Sequence, residues 1–424
     1  MLGHTKIKKG LPASQEDALA QDVIHDRRDA GSAAFLSADY RGLRPSLSVS
    51  PGDRVRVGDI VFTDRKHPEV GFASPLAGRV ASIDYGARRT LSALVIEADS
   101  GEEADGTSDS EEFGDPDNGG VRRTLLKRGF WPAFLTRPFG RIPKPDAVPG
   151  AIFVNATQAS LQAPAPSVVL EHQKAEFQKG VELLTYLTDG PVYVCQAPQD
   201  TLCAFSERVE GAFFSGTPAS GLSGTHIDQL YPVSLERQVW SILYQDVAAI
   251  GHLFLTGHYQ PNRVFSISGP CSAEPKLIRT CQGAGIGQIC NGEVTIRNGR
   301  HRARLLSGDA VTGWESAYIG RYHQQITILD APPEKGFWHW MSRPSAAHGA
   351  LIPTAALERA LAVDVLPVPL MRALSVGDSA AAERLGCLAL VEEDVAALTR
   401  LCTSGADYGV LLRDVLDDLE EETV

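Results

Sequence analysis

Val49-Ser50-Pro51-Gly52-Asp53-Arg54-Val55-Arg56-Val57-Gly58-Asp59-Ile60 and, a little further on, Ala73-Ser74-Pro75-Leu76-Ala77-Gly78-Arg79-Val80 decide how the first part of the chain folds. Leu47, Val49, Val55, Val57, Ile60 and Phe62 alternate with polar residues, and Pro51-Gly52-Asp53 and Gly58-Asp59 break the run as turns. Ile83 and Leu94-Val95-Ile96 extend the pattern. Short strands joined by tight turns are predicted over residues 43–97.

The two runs resemble the biotinyl/lipoyl-type barrel-sandwich fold, in which V-x-P-G-D-x-V precedes S-P-x-A-G-x-V. Carrier domains of that kind hold a lysine on an exposed hairpin before the second run. Lys66, in Asp64-Arg65-Lys66-His67-Pro68-Glu69, lies near that position. One reading makes it a cofactor attachment point. The reading preferred here is a charged hairpin tip, because neither a Met-Lys-Met nor an Asp-Lys-Ala context surrounds it.

Working outward, 424 residues exceed one ordinary core, and two to four domains are expected. An apolar content of 43% with 22% charged residues is that of a folded chain. The net charge of −12 argues against nucleic acid and anionic lipid as partners. Residues 1–10 carry lysines and no apolar core, and seven cysteines make no disulfide framework, so a reducing cytoplasm with free thiols is expected. The best candidate for a membrane span, residues 239–255, holds Gln245, Asp246 and His252 and is expected to be a buried or docking helix instead.

The acidic stretch 99–120 reads as a solvated linker. Beyond it, Ala151-Ile152-Phe153-Val154 and Pro191-Val192-Tyr193-Val194-Cys195 have strand length. Residues 171–187 between them place Phe177, Val181, Leu184 and Leu187 at helical spacing. Strand, helix and strand with short joints predict a right-handed parallel unit. Ser234 is expected to open a helix carrying Trp240, Leu243, Val247, Ile250 and Phe254 on one stripe, with Gly257 closing it. Arg263-Val264-Phe265-Ser266-Ile267 is expected to be a further strand of the same α/β domain. Residues 277–329 read as a small mixed module, and 379–385, 392–402 and 408–419 as helices.

The expected architecture is multidomain α/β. A barrel-sandwich domain with an N-terminal extension and acidic loop takes 1–120, and a Rossmann-like α/β domain takes 121–270. An SLBB, or ubiquitin-like β-grasp, module takes 271–345, and a helical domain takes 346–424.

An α/β domain invites a nucleotide, yet the expected phosphate loops are missing. The first strand is followed by Asn155-Ala156-Thr157-Gln158-Ala159-Ser160 and the second by Ala197-Pro198-Gln199-Asp200, neither with a glycine. Gly283-Ala284-Gly285-Ile286-Gly287 lies outside that domain and reads as a loop. The scattered cysteines lack cluster spacing, and neither C-x-x-C nor H-x-x-x-H occurs. No catalytic, cofactor-binding or metal-binding residues are assigned.

Several stretches in order along the chain resemble the A-subunit family of the sodium-translocating NADH:quinone reductases (NqrA). They include Lys6-Ile7-Lys8-Lys9-Gly10-Leu11, Tyr40-Arg41-Gly42-Leu43-Arg44-Pro45 and Thr136-Arg137-Pro138-Phe139. The run Gly221-Leu222-Ser223-Gly224-Thr225-His226 is the strongest, joined by Tyr244-Gln245-Asp246-Val247, Gly320-Arg321-Tyr322-His323 and Glu392-Glu393-Asp394. The resemblance implies a complex that oxidises NADH, reduces ubiquinone and exports sodium. The A subunit would be peripheral on the cytoplasmic side of the cell inner membrane. It would sit mainly on the membrane-embedded B subunit, with the C, D, E and F subunits in the same complex. Its domain plan is similar to that of the Rnf complex C subunit and the complex I flavoprotein subunit, which bind flavin on a glycine-rich loop.

Where those relatives have that loop, this chain has Arg128-Gly129-Phe130-Trp131-Pro132-Ala133-Phe134, and the cluster cysteines are reduced to Cys387 and Cys402. A scaffold without bound cofactors is expected, with ubiquinone as a substrate contact. The candidate quinone contacts are Phe130, Trp131, Phe134, Arg137, Phe139, His226 and His323. Aromatic faces would stack on the ring, while Arg128, Arg137 and Arg141 interleave with them. The same aromatic stretch would alternatively dock on the B subunit, and each histidine would alternatively be structural. Phe337-Trp338-His339-Trp340-Met341 is expected to face headgroups or a membrane subunit, or to pack under a loop. The competing function is a flavin- or NADH-binding redox subunit of Rnf or complex I type.

Overall fold

The computed structural model describes residues 3–12, 19, 23–27, 30–86, 90–99, 117–295, 303–331 and 349–423. Most of the acidic stretch and the aromatic run 337–341 fall outside them.

The turn-punctuated region forms two small sheets. Pro45–Leu47, Ile60–Asp64 and Gly71–Ala73 make one. Ser32–Leu36, Leu91–Ala98, Gly78–Tyr85 and Arg54–Val55 make the other, in that order across the sheet. They share one core, in which Phe62 and Phe72 stack with centroids 4.3 Å apart over Val80, Leu94 and Ile96. Gly52 and Gly58 take positive φ where the expected turns fall.

The α/β unit is a six-stranded sheet ordered His4–Ile7, Val209–Gly216, Val192–Gln196, Ile152–Ala156, Val239–Leu243 and Leu135–Arg137. All neighbours are parallel except the last, an antiparallel edge. Alternation along the strands sorts the side chains. Ile152, Val154, Val192 and Val194 meet Phe177, Val181, Val247 and Ile250 on one face. Phe153, Tyr193, Cys195 and Phe214 meet Ile227 of helix Ser223–Leu230 on the other. Helices Lys174–Leu184 and Tyr244–Thr256 cross at two glycines. A Cβ on Gly251 would lie 1.7 Å from the Glu176 carbonyl oxygen, and one on Gly180 would lie 2.0 Å from that of Val247.

Two expectations are corrected here. The stripe containing Trp240 and Leu243 is not helical throughout: Val239–Leu243 is a buried central strand, and the helix begins at Tyr244. Gly257 caps that helix in the left-handed conformation, as expected. Asn262–Ser268 leaves the α/β unit and becomes the centre of a second six-stranded sheet. There it pairs antiparallel with Lys276–Cys281 and parallel with Gln325–Asp330. Ala303–Ser307, Trp314–Glu315 and Ile24–Arg27 complete the sheet.

The two units are riveted at the start of helix Tyr244–Thr256. Gln245 bonds both backbone groups of Val264, and Asp246 takes the guanidinium groups of Arg263 and Arg321 at 2.9 and 3.1 Å. The C-terminal part is helical over Ala355–Glu358, Pro367–Val376, Ser379–Arg384, Glu392–Leu401 and Tyr408–Thr423, with its own apolar core. Among the described residues no helix is long and apolar enough to cross a membrane.

Candidate functional site

Chain direction locates the site before any side chain does. From Ile152–Ala156 the parallel sheet grows one way through Val192–Gln196 and Val209–Gly216, whereas Val239–Leu243 is added on the opposite side. The crevice at the carboxyl ends of such diverging strands is the usual ligand position in open α/β sheets. Here it is a void of about 140 Å³ bordered by Asn155, Thr157, Ser241, Leu243 and Arg137. Gln325 of the second sheet, Tyr322 and His323 in the turn before it, and Glu393 of the helical region close it over.

Beside it lies a larger chamber of about 530 Å³, sharing Ala159, Ser160, Leu222, Asp309, Gln325 and Glu393 with the crevice. Leu161, Pro218, Val311, Leu361, Val363 and Ala397 give that chamber mostly apolar walls.

The polar groups of the crevice are held firmly. The Asn155 amide donates to the Gly221 carbonyl and the Ser223 hydroxyl at 2.9 and 3.1 Å, while its oxygen accepts from the Thr157 backbone and hydroxyl. The Arg137 side chain is 1% exposed and reaches Glu393 at 3.2 Å and Asp394 at 3.9 Å, while its Nε has no partner. Gln325 directs its amide nitrogen to Gln162, Ser268 and Thr327, leaving its oxygen unpartnered. Burial pushes the Asp394 carboxyl up to about 7; Arg137 pulls it back and Glu393 pushes it further.

Of the residues singled out in the sequence, Arg137 and His323 reach the crevice. Ser307 accepts from the Gly320 N–H at 2.8 Å, and its hydroxyl is hydrogen-bonded to His323 Nδ1 at 2.7 Å. Burial lowers the His323 pKa to about 4, and Trp314 packs against the ring at 4.2 Å.

The aromatic stretch is not a surface. Trp131 and Phe134 are fully buried and Phe130 is 2% exposed. Trp131 packs edge-on to Trp240 at 5.3 Å and donates from Nε1 to the Pro143 carbonyl. A quinone ring has no free face to stack on there, and a partner protein finds no surface to dock on. Phe139, at φ 80°, packs with the C-terminal helices, and its carbonyl accepts from Arg413. Arg141 is tied to Asp417 and Glu420. His226 is fully buried; its Nε2 bonds the Ser220 carbonyl at 2.8 Å and burial lowers its pKa to about 4, which is the structural alternative.

Lys66 is exposed at the turn after Ile60–Asp64. Among the described residues no group of three or more His, Cys, Asp or Glu could hold a metal ion.

Residues 5–99 match the model of the NqrA N-terminal barrel-sandwich hybrid domain, and residues 117–259 that of the NqrA second alpha/beta domain. Together they span more than half of the chain. The chain belongs to the NqrA family. It is 36% identical over 451 residues to the A subunit of the Na(+)-translocating NADH-quinone reductase of Actinobacillus pleuropneumoniae serotype 5b, covering 98% of this chain and 99% of that protein. The A-subunit proteins of Neisseria meningitidis serogroup A and Vibrio parahaemolyticus are 36% and 35% identical, each with the same coverage of both chains. NqrA-family membership accounts for the ordered stretches picked out above. Sequence reading missed Asn155, Thr157, Gln325 and the chamber walls. The three acids Glu392-Glu393-Asp394 were a usable signal, since Asp394 at the third helical position caps Val391.

Proposed function

We propose that this chain is the peripheral A subunit of a sodium-translocating NADH:ubiquinone reductase, and that its switch-point crevice contributes to the quinone-reduction step. It sits on the cytoplasmic side of the inner membrane, scaffolds the B subunit and completes a complex with the C, D, E and F subunits. Family membership supports the complex. The observation that carries the quinone role is a small polar crevice continuous with a larger apolar chamber. A hydrogen-bonding ring fits the first and an isoprenoid tail the second. Arg137 and the imidazole of His323, in the tautomer protonated on Nε2, would donate to a quinone carbonyl, and Phe130, Trp131 and Phe134 support the crevice from behind.

The chain works without a bound flavin, cluster or metal. Phe130 and Trp131 bury bulky side chains in the stretch that stands for the relatives' glycine-rich loop, and the loop after Ile152–Ala156 has no glycine with which to approach a phosphate. The α/β unit is Rossmann-like, with one side of the sheet built by consecutive parallel strands. The second sheet, with its short helix Ile286–Ile289, is ubiquitin-like of the SLBB kind, and the domains divide near 120, 260 and 345, the middle boundary falling before strand Asn262–Ser268.

Titrating the purified chain with ubiquinone-1, followed by calorimetry and tryptophan quenching, tests the quinone role. Saturable binding that Leu222→Trp abolishes by filling the chamber is expected. Absence of saturation would remove quinone from this chain. Flavin or cluster absorbance in the same preparation would favour the redox-subunit alternative, and an intact mass above that of the bare chain would revive Lys66 as a carrier.

A further inference from the structure

The chain has a net charge of −12, yet five arginines line one groove, two of them without a paired carboxylate among the described residues. A groove of about 800 Å³ between the barrel-sandwich region and the C-terminal helix is lined by Arg41, Arg44, Arg65, Arg141 and Arg413, with Asp417 as the single acid among its described lining residues. Arg41, Arg141 and Arg413 are held by Glu392, Asp417 and Glu420. Arg44 and Arg65 are exposed. They are linked through the backbone, Arg65 N–H to the Arg44 carbonyl at 2.7 Å, and the charge of neither is matched by a carboxylate on the groove wall.

The floor is apolar, from Phe62, Leu91 and the exposed Tyr85. One wall is the strand Pro45–Leu47, the edge of its three-stranded sheet, with no strand beside it among the described residues. The stretch Tyr40–Pro45 thereby acquires a role that the crevice does not use.

We infer that this groove receives an extended, carboxylate-rich segment of a partner protein. The segment adds beside the Pro45–Leu47 edge, with carboxylates on Arg44 and Arg65 and an apolar side chain against Tyr85 and Leu91. The unmatched arginines supply charge complementarity, and the open edge supplies the Leu47 N–H and the Pro45 and Leu47 carbonyls, a pattern that an extended polypeptide can pair. An anionic lipid headgroup would use the arginines and leave the edge idle. This inference stands apart from the quinone reading.

The test uses the full chain and a fluorescein-labelled Glu-Val-Glu-Phe-Glu-Val-Glu peptide, followed by anisotropy. Saturable binding is expected, at least tenfold weaker for Arg44→Glu/Arg65→Glu, for a peptide N-methylated at alternate amides, and on raising salt from about 0.05 to about 0.5 M. Both arginines are exposed, so the double variant keeps its circular dichroism and thermal midpoint. Peptide affinity unchanged by the double variant, or equalled by a lysine-for-glutamate peptide, overturns the inference. So does arginine-dependent binding of phosphatidylglycerol vesicles in the absence of peptide binding.

Discussion

A Cβ on Gly224 would lie 2.4 Å from the Oδ1 of Asp394, which joins the strongest sequence run of the chain to its acidic helix start. Helix Ser223–Leu230 of the α/β unit meets helix Glu392–Leu401 of the C-terminal region at this point. The Asp394 carboxylate is anchored, its other oxygen accepting from the Val391 N–H at 2.9 Å, so it cannot swing aside freely. Gly224→Ala is therefore expected to destabilise by about 1–3 kcal/mol, the usual penalty for forcing atoms into a packed site. Urea denaturation measures this. A variant as stable as the parent would show that the two helices separate at no cost.

The Asp394 carboxyl also makes stability fall with pH. Its pKa is near 7 in the folded chain against 3.8 for an ordinary aspartate, chiefly through burial. A folded value above the unfolded one means that the native state holds the proton longer. Stability therefore declines as pH rises from about 4 to about 7 and levels off above. Asp39, raised by burial to about 6 against the pull of Arg321 and Arg41, adds a slope over the lower part of that window. Asp394→Asn should lose more stability at pH about 5 than at pH about 8, because only the higher pH charges the parent carboxyl. Equal losses at the two pH values in urea titrations would contradict the assignment.

Asp246 is the opposite case. Burial alone would raise its pKa, but Arg321 and Arg263 outweigh burial and hold it below the usual range. Its contribution is complete above the unfolded pKa and is lost only in stronger acid. Asp246→Ala leaves two nearly buried guanidinium groups without their counter-charge and should cost about 3–5 kcal/mol. Because the triad joins the two six-stranded sheets, protease cleavage near residues 257–262 should accelerate in the variant. Unchanged cleavage would mean that Gln245 and Val264 alone keep the joint closed.

Much of this was legible in the chain. Pro51-Gly52-Asp53 and Gly58-Asp59 declare turns through their own backbone preferences, and Phe177, Val181 and Leu184 declare a helix by spacing. Val239–Leu243 was misread because a strand buried on both faces is apolar at nearly every position, here all but Ser241, which fits helical spacing equally well. The sheet to which Asn262–Ser268 belongs depends on partners more than 50 residues away, at Gln325–Asp330, and no local pattern encodes that. Phe130 and Trp131 look like an exposed aromatic patch because arginines flank them, yet Arg122 covers Trp131 at 5.3 Å and the rings turn inward. Of the crevice, Arg137 and His323 were found through their motifs. Asn155 and Gln325 are ordinary polar residues until the strands converge.

The seven cysteines give a last prediction, since the fold treats one of them differently. All are buried. Burial pushes the Cys203 and Cys387 thiols up to about 12, and Cys195 further, so none of these three offers thiolate at neutral pH. Burial acts on Cys402 too, but hydrogen bonding with Ser404 and Tyr408 outweighs it and holds that thiol below its ordinary value. Cys402 is also 8% exposed, where Cys195 and Cys387 are sealed. A thiol reagent at pH about 8 should therefore modify Cys402 before Cys195, Cys203 and Cys387, and Cys402→Ser should remove that early reaction. Peptide mapping after partial labelling decides the order. Labelling of Cys195 or Cys387 ahead of Cys402 would mean that local opening of the cores, not thiolate availability, controls access.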